Sequence, residues 1–107
     1  MRPHYHKTPP DVSILFNTQI EGGKLIETDG HSIAGFNIGG KVYAIDNTCT
    51  HRGGPLCEGE VSGEEVTCPW HGAIYNIKTG EALGPPAPRG VARYAVRVQG
   101  ADVEVEV

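Results

Sequence analysis

The stretch "CTHRGGPLCEGEVSGEEVTCPWHG", residues 49–72, gathers all three cysteines and two of the five histidines of a 107-residue chain. Within it, Cys49-x-His51 is followed, after sixteen intervening residues, by Cys68-x-x-His71. Each pair offers one thiolate and one imidazole, and each is flanked by glycine and proline: Gly53-Gly54-Pro55 after the first, Pro69 and Gly72 around the second. Thiolates suit zinc and iron–sulfur clusters, and imidazole suits zinc, copper and iron. One zinc ion held by all four residues, or a set divided between two metal ions, would both use this pattern. Zinc sites usually begin with two cysteines about two to four residues apart, and Cys49-x-His51 is tighter than that. Reading the cysteines as small buried hydrophobes and the histidines as surface residues leaves the recurrence of the pairs unexplained.

Outward from this stretch the chain reads as strand and turn. Glycine (15) and proline (8) are abundant, and no window sustains a helical period. Period-two alternation marks "VSILF" at 12–16, "KLIET" at 24–28, "SIAGFNI" at 32–38, "KVYAID" at 41–46, "EEVTC" at 64–68 and "AIYNI" at 73–77. Gly39-Gly40 between two such runs is a hairpin signal. "KTGE" at 78–81 is a turn, and "VARYAVRV", "QGAD" and "VEVEV" make a terminal hairpin. In that hairpin Val103, Val105 and Val107 are expected on one face, with Glu104 and Glu106 on the other. "GPPAPR" at 84–89 lacks a backbone donor at three positions. It is either a rigid connector or a loop packed beside the metal site. The whole predicts an all-β domain of about eight to ten short antiparallel strands.

Composition narrows the function classes. The length is that of one domain. A net charge of −4 argues against nucleic acid as a partner. No apolar run approaches the roughly 18 residues of a membrane span. The opening "MRPHYHKTPP" shows neither an apolar signal core nor a twin arginine, so a cytoplasmic protein is expected. Three cysteines cannot all pair within the chain, which favours metal or redox use over structural bridges. His4 and His6 belong to a Pro-rich tail expected to be mobile, and His31 to a surface turn.

The segments Cys49-Thr50-His51-Arg52-Gly53-Gly54-Pro55-Leu56 and Cys68-Pro69-Trp70-His71-Gly72 resemble the two ligand loops of the Rieske [2Fe–2S] family. The likeness extends to the hairpin before Cys49, to Tyr75, the Thr79-Gly80-Glu81 turn, the 85–88 "PPAP" run and the final hairpin. It implies a Rieske iron–sulfur-protein-like fold: an antiparallel sandwich or small barrel with a loop-rich cluster-binding subdomain at about 46–87. That subdomain would lie within a Rieske domain at 11–107, behind an N-terminal tail at 1–10. The resemblance implies one [2Fe–2S] cluster per chain, with Cys49 and Cys68 on one iron and His51 and His71 on the other. Arg52, Gly53, Gly54, Trp70, Gly72 and Tyr75 would surround the ligands. The glycines would let the backbone approach the cluster closely. Trp70 would either shield it or pack within its loop. Cys57 is read as a packed thiol, with a third-ligand role as the rival.

Replacing two thiolates by two imidazoles removes two negative charges, which raises the potential from about −400 mV into a band of about −150 to +300 mV. High-potential members of the family carry a disulfide between the two loops and a serine after the second loop's glycine. The equivalent positions here are Gly54, Trp70 and Ala73, so a low-potential centre is expected, with Tyr75 standing where those proteins have a tyrosine donor. The histidines are implied to lie near the surface, and a potential that falls as pH rises would mark their titration.

A Rieske centre moves electrons and does no bond chemistry, so the chain is read as an electron carrier rather than an enzyme. An oxygenase also needs a two-His-one-carboxylate iron, and no such residues are left over. The leading expectation is a ferredoxin shuttling between a flavin reductase and a ring-hydroxylating dioxygenase, with no membrane partner. The alternatives are the small subunit or domain of an assimilatory nitrite reductase and a zinc-binding structural module. Glu58, Glu60, Glu64 and Glu65 are expected near the cluster tip, either as a solvated loop or as a rim that steers a basic partner.

Overall fold

The structure is a computed structural model and describes residues 5–8, 23–28, 30–50, 53–70, 72–84, 89–99 and 102–106. The expected strand at 12–16, the "PPAP" run at 85–88, His4, Val107 and three of the named site residues, His51, Arg52 and His71, lie outside the described residues.

The described chain is all-β apart from one 3₁₀ turn, Leu56–Glu58. Its strands are β1 (Tyr5–Lys7), β2 (Gly23–Thr28), β3 (His31–Ile38), β4 (Lys41–Asp46), β5 (Glu60–Ser62), β6 (Glu65–Thr67), β7 (Ile74–Asn76), β8 (Arg93–Tyr94), β9 (Val96–Gln99) and β10 (Asp102–Glu106). They form three antiparallel sheets, β1-β10-β9, β2-β3-β4-β8 and β5-β6-β7. The β3–β4 hairpin turns on Gly39 and Gly40, both at positive φ, as the Gly-Gly pair predicts.

The middle sheet separates two cores, and its sequence shows why. From Ile33 to Phe36 every residue of β3 is buried, because both faces of the strand are covered. On one face Ile26, Ile33, Val42 and Ala44 pack with Val103 and Val105 of the terminal hairpin. On the other, Ala34, Phe36 and Ile45 pack with Leu56, Val66, Tyr75, Ile77 and the thiols of Cys49 and Cys68. Each large side chain fully buried here contributes about 1.5–3 kcal/mol of transfer free energy. The second core therefore holds the two cysteine loops on a rigid sheet.

Two expectations need correction. Residues Tyr5–Lys7 are not part of a mobile tail: they pair with β10, Tyr5 opposite Glu106. "VARYAVRV" is not one strand. It breaks at Ala95, so that β8 pairs with β4 and β9 with β10, and one run of sequence serves two sheets. Val103 and Val105 face the core as expected, and Glu104 on the opposite face is itself only 8% exposed. The Arg97 side chain donates to it at 2.7 Å, and Arg97 itself lies 4.0 Å from the centre of the Tyr5 ring. Glu104 is also paired with Lys7 of β1, and the alternation of Val and Glu carries no sign of either partner.

Candidate metal centre

The first cysteine loop leaves β4 through Asn47, which is buried and bonded on every side. Its N–H donates to the Ser32 carbonyl at 3.0 Å, its carbonyl accepts from Leu56 N–H at 2.8 Å, and its Oδ1 accepts from Cys57 N–H at 2.8 Å. Asn47 thus closes the base of the loop at both ends. Sequence reasoning missed it, although an amide residue at a strand end is a known anchor for backbone groups. The second loop joins β6 to β7, where Thr67 pairs with Ile74.

The two loops are closed by the same hydrogen bonds. Cys49 N–H donates to the Gly54 carbonyl at 3.0 Å, and Gly53 N–H returns to the Cys49 carbonyl at 2.8 Å. Cys68 N–H donates to the Ala73 carbonyl at 2.7 Å, and Gly72 N–H returns to the Cys68 carbonyl at 3.3 Å. Gly53 and Gly72, each four residues after its cysteine, have φ of 76° and 77°. That left-handed conformation disfavours residues with a Cβ, which gives both glycines a physical reason.

Cys49 and Cys68 are each 2% exposed and meet in the same core. None of the three cysteines is in a disulfide. Burial pushes the Cys68 thiol above its ordinary value, the Trp70 N–H at 3.4 Å from its Sγ draws it down, and neighbouring Cys49 pushes it up again. Burial likewise raises the Tyr75 hydroxyl, Cys49 adds to the rise, and the Thr50 N–H, which donates to Oη at 3.1 Å, opposes it. Tyr75 is fully buried in β7, and its Oη stands 3.2 Å from Cys49 Sγ, so a residue of the second loop's strand reaches the first loop's sulfur.

Gly54 marks the closest approach of the loops. A Cβ there would fall 2.5 Å from Cys68 Sγ and 3.0 Å from Trp70 Cβ. Gly54 and Trp70 thus bring the two loops together without a covalent link, neither being a cysteine. Trp70 itself is 50% exposed and stands against Gly54 of the other loop. The described residues on either side of the 85–88 run are bonded to the site. Leu83 N–H donates to the Ile74 carbonyl at 2.8 Å, and Thr50 Oγ1 donates to the Arg89 carbonyl at 2.7 Å. Cys57 sits in the 3₁₀ turn as a half-buried thiol packed against the same core, and burial, followed by Glu58, raises its pKa.

The acidic residues do not form one rim. The β5–β6 hairpin pairs Glu60 with Thr67 at the cysteine end and Ser62 with Glu65 at the other. At about 3.3 Å per residue, Glu64 and Glu65 are carried roughly 10 Å away from Cys68. Glu64 there meets Lys78 at 3.4 Å.

Among the described residues no group of three or more His, Cys, Asp or Glu converges as a metal site. The two cysteines make half a set. Two adjacent buried thiolates are costly without a cation between them, so the donor chemistry fits a metal centre on the sulfur side. Tyr75 O–H and Trp70 N–H supply hydrogen bonds suited to bound thiolates.

The chain is similar to known iron–sulfur proteins. The family description "Rieske [2Fe-2S] domain" matches residues 12–95. The ferredoxin component of a naphthalene 1,2-dioxygenase system from Pseudomonas putida is 30% identical over 89% of this chain and 92% of its own length. The 3-phenylpropionate/cinnamic acid dioxygenase ferredoxin subunit from Shigella flexneri is 40% identical over 70% of this chain and 72% of its own. A chain in the complex of reduced oxygenase and oxidized ferredoxin of carbazole 1,9a-dioxygenase superposes with a TM-score of 0.83 at 25% identity, covering 98% of this chain and 94% of that one. With the twin cysteine loops and the three-sheet frame, these likenesses establish that the chain belongs to the Rieske [2Fe–2S] domain family, with one such cluster as its cofactor.

Proposed function

We propose that this protein is the ferredoxin of a ring-hydroxylating dioxygenase system, taking one electron from a flavin reductase and passing it to a terminal oxygenase. Cys49 and Cys68 hold one iron and His51 and His71 the other, within a cluster-binding subdomain at about 46–87. The cluster, when bound, supplies a one-electron centre in the Rieske band of about −150 to +300 mV. The chain's own residues do the rest. The hydrogen-bonded loop closures fix both sulfurs on the core, so that little needs to move when charge changes. Tyr75 and the Trp70 N–H stabilise negative charge on the two sulfurs. A place low in the band is supported by the absence of a disulfide where Gly54 meets Trp70, and by Ala73, which offers no hydroxyl. Cys57, held in the 3₁₀ turn, is left out of the ligand set. Three cysteines without a disulfide fit a reducing cytoplasm.

The observation that carries this reading is the convergence of Cys49 and Cys68 from two loops with one closure pattern. Anaerobically purified protein is expected to be coloured, to hold two irons and two acid-labile sulfides per chain, and to give an EPR signal only after dithionite. Reduction by a flavin reductase and re-oxidation by a dioxygenase complete the test. Colourless protein containing zinc would overturn the reading, and transfer only to a sirohaem protein would redirect it to nitrite reduction.

A further inference from the structure

Four polar atoms beside Cys49 form a network whose protons can be assigned by counting. The Arg89 carbonyl only accepts, so at 2.7 Å it takes the single proton of the Thr50 hydroxyl. The Thr50 N–H donates to Tyr75 Oη at 3.1 Å. Thr50 Oγ1, its own proton spent, can face Tyr75 Oη at 2.9 Å only as an acceptor. The Tyr75 hydroxyl therefore has one proton and two acceptors in reach, Thr50 Oγ1 at 2.9 Å and Cys49 Sγ at 3.2 Å. A metal-bound cysteine is a thiolate and has no proton to offer, so in the loaded protein Tyr75 is the donor of that pair.

We infer that Thr50 is a positioning residue that tunes the centre by competition: its hydroxyl oxygen, held as an acceptor by the Arg89 carbonyl, draws the Tyr75 proton partly away from Cys49 Sγ. The inference rests on the reading of Cys49 as a cluster ligand. Thr50 acts only through Tyr75, and the Arg89 carbonyl sets the strength of its action. A hydrogen bond to a ligand sulfur stabilises the reduced, more negative state, so weakening it lowers the potential. Thr50 thus holds the potential below what Tyr75 alone would give.

The test is a double-mutant cycle read as midpoint potential, with Fe–S stretching frequencies by resonance Raman as a second readout. Removing the competitor in Thr50→Val should raise the midpoint and shift the cysteine-linked Fe–S mode. Thr50→Ser, which keeps the hydroxyl, should stay at the wild-type midpoint. In a Tyr75→Phe background, Thr50→Val should shift nothing. A midpoint that falls or stands still in Thr50→Val overturns the inference. The same rise in the Tyr75→Phe background also overturns it, since the effect would then belong to the lost contact with Arg89 rather than to the proton. If the Thr50→Val protein does not fold, Thr50→Ala carries the same expectations. Loss of the Rieske spectrum from the wild-type protein would instead defeat the ligand assignment beneath it.

Discussion

The two cysteine loops share a backbone and differ in the group that donates to the sulfur. Each is closed by a cysteine N–H donated five residues ahead and a return bond to the cysteine carbonyl. Yet Cys49 Sγ meets a side chain, the Tyr75 hydroxyl, itself held by Thr50 and Arg89. Cys68 Sγ accepts from backbone, the Trp70 N–H, and lies against Gly54, where a side chain would collide. The first sulfur therefore already has a side-chain donor that substitution can remove, whereas the second takes its donor from the backbone, so a side-chain donor there has to be added. A shared frame fixes where the metal goes, and the unshared surroundings decide how it behaves.

The largest expected effect tests whether the two sulfurs are equivalent as ligands. Cys49→Ala and Cys68→Ala should each abolish visible absorption and bound iron, while Cys57→Ser should retain both. A colourless Cys57→Ser protein would break the division between ligand and packing cysteines. Next is Gly54→Ala, whose Cβ has no room beside Cys68 Sγ. It should lower iron content and cost about 1–3 kcal/mol in urea unfolding, the usual range for overpacking. Full iron occupancy and unchanged stability would show that the loops do not press together.

Smaller effects sharpen the contrast between the sulfurs. Tyr75→Phe should lower the midpoint by about 60 mV, equivalent to about 1.4 kcal/mol for one electron. Ala73→Ser should move it the opposite way by supplying a hydroxyl on the second loop. An unchanged midpoint in both variants would mean that side-chain donors do not distinguish the loops. The smallest effect concerns steering. Glu58→Gln with Glu60→Gln should slow electron exchange with a basic partner at low salt, by roughly two- to five-fold. Glu64→Gln with Glu65→Gln, at the far end of the hairpin, should change the rate little, and stopped-flow rates against ionic strength decide between them.

Much of this was legible in the chain itself. The Gly39-Gly40 hairpin, the "KTGE" turn and the Val103 and Val105 face follow from period and turn chemistry, which act between near neighbours. Asn47 and Thr50 escaped notice because their roles lie in partners far along the chain, Thr50 with Arg89 above all. The break at Ala95 escaped notice because one alternation fits either sheet, and only the positions of β4 and β10 choose between them.

Sequence alone determined the kind of chemistry: which side chains are soft donors, how they are spaced, and which glycines permit the loops to turn. Those properties are local, written in residue type and in a few neighbouring dihedrals. The tertiary structure decided which groups surround each sulfur, that Glu104 is paired with Arg97 and with β1, and that half of the acidic residues stand away from the cysteines. These depend on contacts between segments distant along the chain, which form only when the two cores close on the middle sheet.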